Sequence, residues 1–457
     1  LTDADFNVAV GKYALTEDRK GNRSTAIGYG ALYAQNFANS TNSNNTAVGY
    51  GAGTAVTDGQ HNTLIGADSG DALTEGDQNV SVGRNALSAD TLGSKSVAVG
   101  EGALYAQNFT TATDTYNTAV GYDAGAGAMT GTSNTLIGGL VGDALTTGQN
   151  NVAVGASALT TDTKGKRSVA IGNNALGLQN YTTDTITYNT AVGYGAGYAT
   201  TTGQSNTLIG YASGEDLTIG GGNVALGAYS LANEDVGRYS TAIGYYALNA
   251  QNTTGSILVS TYNVGLGIWA GYTINTGKGN TCLGSIAGYD ITTGDNNTAV
   301  GYNALRSGTP GGAQTTGSNK VGIGDENISS ANIQVDWTIA SDERDKTDFT
   351  ALDLGLDFVK AMKPYTFKWD KRINYADRSD ENWRDTLNLD TLTSDGTHKE
   401  DWLDLGFKAQ DIKALEEASN YKIADKTNLT VSASDDGKQY GMRYAKLVPI
   451  LVKAIQE

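Results

Sequence analysis

The residues whose types and spacing most suggest chemistry are Ser341 and Lys346, at the two ends of the run Ser-Asp-Glu-Arg-Asp-Lys. A hydroxyl and an amine five positions apart can converge at a turn leading into a helix. The same hexapeptide has a plainer reading, in which Ser341 caps a helix, Asp342 and Glu343 favour its dipole, and Lys346 is a solvated surface residue. Six residues taken alone favour the cap. Other reactive types are scarce. Cys282 stands in Asn-Thr-Cys-Leu-Gly where sister segments carry Ala or Leu, so it reads as a small core residue. One Cys forms no intrachain disulfide, and His61 and His398 supply no zinc constellation, so neither metal nor cofactor is expected.

The elements that must carry such residues differ along the chain. Of 457 residues, 60 are Gly and only 3 are Pro. Beyond residue 340 the glycines are just Gly355, Gly396, Gly406, Gly437 and Gly441. The net charge of −17 argues against nucleic-acid binding, which needs clustered Lys and Arg. No apolar run approaches the roughly 18 residues that cross a bilayer, so membrane insertion is not expected. No signal peptide is visible, and the chain opens at Leu1 almost directly in a repeat. Attachment to a virion tail through something upstream is therefore expected.

Before residue 326 a pentad of the form (Asn/Ser)-(Thr/Val)-x-(Val/Ile/Leu)-Gly recurs, closing on glycines from Gly11, Gly28 and Gly49 through to Gly301 and Gly324. Most steps are 17 residues, but those from Gly28, Gly100 and Gly172 are 21 and the one from Gly244 is 23. The pattern thus repeats every 72 residues, and "ALYAQNF" at Ala31 and Ala103 becomes "ALGLQNY" at Ala175. Alternating β-branched residues ending on Gly read as a short strand, and the Thr/Asp/Gly runs after it as turns, with Gly59 and Gly76 carrying positive φ. A mainly β fold follows: a parallel β-solenoid of about eighteen coils over residues 1–325, a rod of about 85 Å at one strand spacing per coil. Such thin coils bury little alone, and a homotrimer covers the rest.

These pentads resemble the head repeats of trimeric autotransporter adhesins. The likeness rests on "STAIG" ending at Gly28, "SVAVG" at Gly100, "SVAIG" at Gly172 and "NTAVG" at Gly193. It implies a left-handed trimeric β-roll, with bulging turns because these coils are about three residues longer than the family's.

After a junction at 326–340, residues 341–457 read as a compact α+β module. "ALDLGLDFVKAMKP" places Leu352, Leu356, Val359 and Met362 at helical spacing, "YTFKW" alternates as a strand, and Trp337, Trp369, Trp383 and Trp402 suggest tertiary packing. This segment resembles the intramolecular chaperone, a self-processing domain of the endosialidase type, at the end of phage tail spikes and fibres. The matching stretches are Ser341 to Lys346, then "GLDFVKAMKPYTFKW", Gly406 to Gln410, and "YAKLVPILVKAIQE". The resemblance implies cleavage after Ala340 by a Ser341–Lys346 dyad once three chains have assembled. Lys346 would be the base, Asp342 and Arg344 would support the site, and Arg344 would be a nearby cation that lowers the lysine pKa.

The expected function is a phage tail fibre, structural and adhesive, folded in the host cytoplasm and carried outside on the virion. Its partners would be two further copies and a host-surface glycan or protein receptor. The four long loops beginning at Tyr33, Tyr105, Gly177 and Asn249 offer Tyr33, Phe37, Tyr105, Phe109 and Tyr181 for stacking on sugars. A bacterial surface adhesin is the alternative within the adhesive class, although "LVPILVKAIQE" supplies no membrane barrel. A polysaccharide-degrading spike would need paired carboxylates in a groove, whereas Asp58, Glu75, Asp77 and Asp295 read as solvated corners.

Overall fold

In the computed structural model, which describes residues 4–457 apart from 256, 310–311, 333, 335–338, 380–382, 384–386 and 435–436, each of the eighteen pentads forms a three-residue strand that stops just before its glycine. The chain divides into two compact units, Leu1–Thr276 and Gly277–Glu457. In the first, the strands from Val8–Val10 to Val264–Leu266 pair in parallel, each with the strand one coil later. Register follows the glycine spacing: Val8 faces Thr25, Thr25 faces Thr46, and Thr241 faces Val264. The long steps therefore leave the ladder intact and push their extra residues outward. The mainly β, parallel solenoid expected from the pentads is the fold observed.

The middle residue of each strand points inward, and Ala26, Ala47, Leu64, Ser81 and Ala98 are fully buried. Its neighbours point outward, leaving Ile27, Ile65, Ile137, Ile171, Leu226 and Leu266 each 37–46 % exposed. Glycine ends each strand for two reasons. Gly138 has φ +139°, and a Cβ there would lie 2.6 Å from the carbonyl oxygen of Gly155 in the next coil. In the turns the expectation for Gly59 and Gly76 is corrected: neither has positive φ, which falls to His61 and Gln78 instead. Gly59 is needed because a Cβ would sit 2.7 Å from Gly76 O.

A buried asparagine ladder runs beside the strands. Asn62 Nδ2 donates to Gly76 O at 2.8 Å, and Asn62 Oδ1 accepts from Asn79 N at 2.9 Å. Each rung thus satisfies both the turn and the backbone entering the strand of the coil that follows. At Ser24, Ser96, Ser168 and Ser240 a serine replaces the asparagine, and there the long loop enters. The loop's own glutamine fills the gap: Gln107 Nε2 donates to Ser96 Oγ at 2.9 Å and to Asp90 Oδ2 at 2.6 Å, while its Oε1 accepts from Asn117 Nδ2 at 2.9 Å. Gln35 with Asp18, Gln179 with Asp162, and Gln251 with Glu234 repeat the arrangement. This network gives the 72-residue period its physical basis.

The second unit opens with three more parallel strands, Thr281–Leu283, Thr298–Val300 and Val321–Ile323. Beyond them lie helices α1 (Leu356–Ala361), α2 (Ala409–Ala418) and α3 (Leu447–Gln456). Two antiparallel strand pairs accompany them, Tyr365–Phe367 with Asp404–Gly406 and Val431–Ala433 with Tyr440–Met442. The core of this module is Leu354, Phe358, Ile412, Val431, Leu447 and Ile450. The "YTFKW" strand forms as expected. The helix starts later than its spacing suggested: Leu352 precedes it, Gly355 is its cap residue, and Phe358 is its buried side chain. Trp369 and Trp402 are exposed rather than core residues, Trp383 lies under the Arg378 guanidinium, and Trp337 falls outside the described residues.

Candidate functional site

A single turn of 3-10 helix, Glu343–Asp345, follows Ser341. Its cap is Asp342, not Ser341: the Asp342 carboxylate accepts from Arg344 N at 2.9 Å. The plainer reading of Ser341 as a helix cap is thereby removed, and its hydroxyl faces Lys346, whose Nζ donates to Ser341 Oγ at 2.5 Å and to Ser341 O at 3.1 Å. Hydroxyl and amine are within proton-transfer reach.

Arg344 is placed differently from the expectation that it stands by Lys346 as a free cation. Its Nε and Nη2 donate to Asp342 Oδ1 and Oδ2 at 3.0 and 2.6 Å, and this contact holds the Asp342 carboxyl below its ordinary range. Residues 341–350 are all exposed on the single chain.

Of the aromatic candidates in the long loops, Phe37, Phe109 and Tyr181 are buried and offer no face to a sugar, which corrects their assignment. The cause is the anchoring network: Phe109 N and Tyr181 N donate to the buried carboxylates of Asp90 and Asp162, drawing both side chains inward, and Tyr181 OH donates to Gly203 O at 2.6 Å. Burial pushes the Tyr181 phenol up. Tyr33 and Tyr105 remain exposed.

The acidic residues read as corners behave as such: Asp77 and Asp295 accept from the backbone N–H of Gln60 and Lys278. The buried acids at Asp18, Asp90, Asp162 and Glu234 were not foreseen. Their signal was present as an acid 72 residues apart in each unit, with a glutamine 17 residues later. Burial raises the carboxyl pKa of Asp90 and Asp162 despite the hydrogen bonds they accept. Burial likewise pushes the Cys282 thiol up to about 12, so it is an inert core residue.

Residues 341–421 match the family of the chaperone of endosialidase, and the match begins at Ser341. No curated protein and no solved structure matches the chain. A β-solenoid together with this module fits a trimeric fibre or spike whose C-terminal domain is an assembly chaperone.

Proposed function

We propose that the chain is the shaft and assembly end of a phage tail fibre, adhesive at the host surface, whose residues 341–457 align three copies and then cut themselves away before Ser341. The observation that carries the cleavage is the 2.5 Å contact between Lys346 Nζ and Ser341 Oγ.

With Lys346 in its neutral form, the amine takes the hydroxyl proton as Ser341 Oγ attacks the Ala340 carbonyl carbon. The Ala340–Ser341 C–N bond breaks, and the ammonium returns the proton to the departing Ser341 nitrogen. An ester now joins Ala340 to Ser341 Oγ. Water hydrolyses it to the Ala340 carboxylate and a free hydroxyl, so each chain reacts once. A lysine acts as a base only where its surroundings disfavour the charged form, and exposed residues 341–350 lack such cover on one protomer. The other two chains supply it, which couples cutting to assembly.

Two surfaces support the trimer. The outward rows typified by Ile27, Ile65 and Ile137 form an uncovered apolar sheet face in the first unit. In α3, Val448, Leu451 and Ile455 are exposed at heptad spacing, the seam of a helix meant to meet its own copies. A fibre of nonlocal β-pairing also needs its three ends aligned before stacking can begin, a reason to fuse a foldase to one end. Upstream residues would join the shaft to the virion tail, and Tyr33 and Tyr105 are the remaining loop candidates for a host glycan.

The test is expression of the parent beside Ser341→Ala, followed by denaturing electrophoresis and N-terminal sequencing. A parent fragment that starts at Ser341 and is missing from the variant is expected. Full-length chains in both would leave a chaperone without peptidase activity.

A further inference from the structure

The turn that brings Lys346 back to Ser341 has little to hold it. It is one 3-10 turn whose backbone bonds, Asp345 N to Asp342 O and Lys346 N to Glu343 O, measure 3.3 and 3.1 Å. Such short helices have poor hydrogen-bond geometry. None of its residues is buried, so side-chain packing does not fix it either. What fixes it is one carboxylate. Asp342 Oδ1 accepts from both the backbone N and the Nε of Arg344, and Oδ2 accepts from Nη2. These three bonds close a ring two residues across, between the hydroxyl and the amine.

We infer that Asp342 and Arg344 are positioning residues whose forked ion pair sets the path of the chain from Ser341 to Lys346. The inference rests on the dyad reading above and replaces the expectation that Arg344 tunes Lys346 through its charge. A guanidinium paired face to face with a carboxylate presents a weak dipole to its surroundings, so the intact pair acts on Lys346 through geometry far more than through field. The fork also explains the residue type. A lysine at 344 would keep the charge but could not donate from two nitrogens in one plane while its backbone uses the same oxygen.

The experiment follows the full chain by pulse-labelled cell-free translation, with chases in buffers stepped across pH and cleavage scored only on trimers separated by native electrophoresis. Asp342→Asn and Arg344→Lys are each expected to slow cleavage about five-fold, the range of a well-formed exposed pair. The double variant should be no slower than either single, because both remove the same clamp. In Arg344→Lys, which keeps both charges, the pH of half-maximal rate should stay at the parent value. Parental rates in both singles, or additive losses in the double, would overturn the clamp. A pH of half-maximal rate that rises in Asp342→Asn/Arg344→Gln, which removes both charges together, would restore Arg344 as a charge acting on Lys346. Arg344→Lys retains the charge, so assembly defects do not obscure the reading. A parent that is not cut, or Ser341→Ala cut like the parent, would remove the dyad and the clamp together. A cut parent with unresponsive variants removes only the clamp.

Discussion

Asn62, in the first unit, gives both ends of its side-chain amide to the backbone of its own chain and is sealed from water. Lys346, in the second, meets Ser341 on a stretch open to solvent throughout. Inside the shaft the asparagines of the ladder find their partners in the same chain, in the coil that follows, so adding coils adds satisfied rungs and no new chemistry. The turn from Ser341 to Lys346 brings hydroxyl and amine together but leaves both without the cover that the proposed cleavage needs. The difference teaches where assembly would act on the proposed reading: the asparagine ladder is complete in one chain, and the C-terminal turn would be completed by the other two.

The comparison breaks most sharply at the strand-ending glycines. Gly138→Ala drives a Cβ into the Gly155 carbonyl in a backbone conformation that L-residues avoid, and should cost about 3–5 kcal/mol, read as a fall in the thermal midpoint by circular dichroism. Next comes Gln107→Ala, which leaves Asp90, Ser96 and Asn117 short of partners in a dry interior, at about 2–4 kcal/mol by the same measurement.

A smaller effect follows pH. Burial raises the folded-state pKa of Asp90 and Asp162, so the stability they contribute is complete below the ordinary carboxylate value of 3.8 and is lost as pH rises through their raised values. Thermal midpoints taken across that window should fall with rising pH on account of these groups, and Asp90→Asn/Asp162→Asn should flatten the slope. The double variant will also be less stable throughout, because an Asn amide would point donors at the donating Gln107 and Gln179. An unchanged slope would mean that these acids are better solvated than their surroundings suggest. Smallest of all, Trp402→Ala on the exposed surface of the C-terminal module should move stability by no more than about 0.5 kcal/mol. A large loss there in the assembled protein, absent in the monomer, would mark Trp402 as part of the contact between copies.

Much of the shaft could be read before any coordinate. Glycines at fixed spacing with alternating residues between them leave a parallel ladder as the one arrangement that gives all pentads the same environment, and register followed from counting. The turns were less transparent. Positive φ fell to His61 and Gln78 because Gly59 was needed for close approach, a demand set by the neighbouring coil rather than by the local sequence. Buried acids escaped for the same reason: Asp90 looks like any polar loop residue until Gln107, seventeen positions on, is folded over it. Ser341 and Lys346 stood out by residue type and spacing, but the hexapeptide alone favoured a helix cap, and it was the resemblance of the accompanying stretches that made them a candidate dyad. That Asp342 caps the turn and Arg344 closes on it required side-chain positions.

The loop entering at Ser96 carries its own glutamine anchor and finds its acid waiting one coil earlier at Asp90, so the stretch from Asp90 to Asn117 holds both sides of its fastening. Foreign sequence spliced between Phe109 and Thr113 would leave every one of those fastenings in place. The shaft is in that sense a display rail, on which the inserted tips can diversify while the rungs beneath them stay constant.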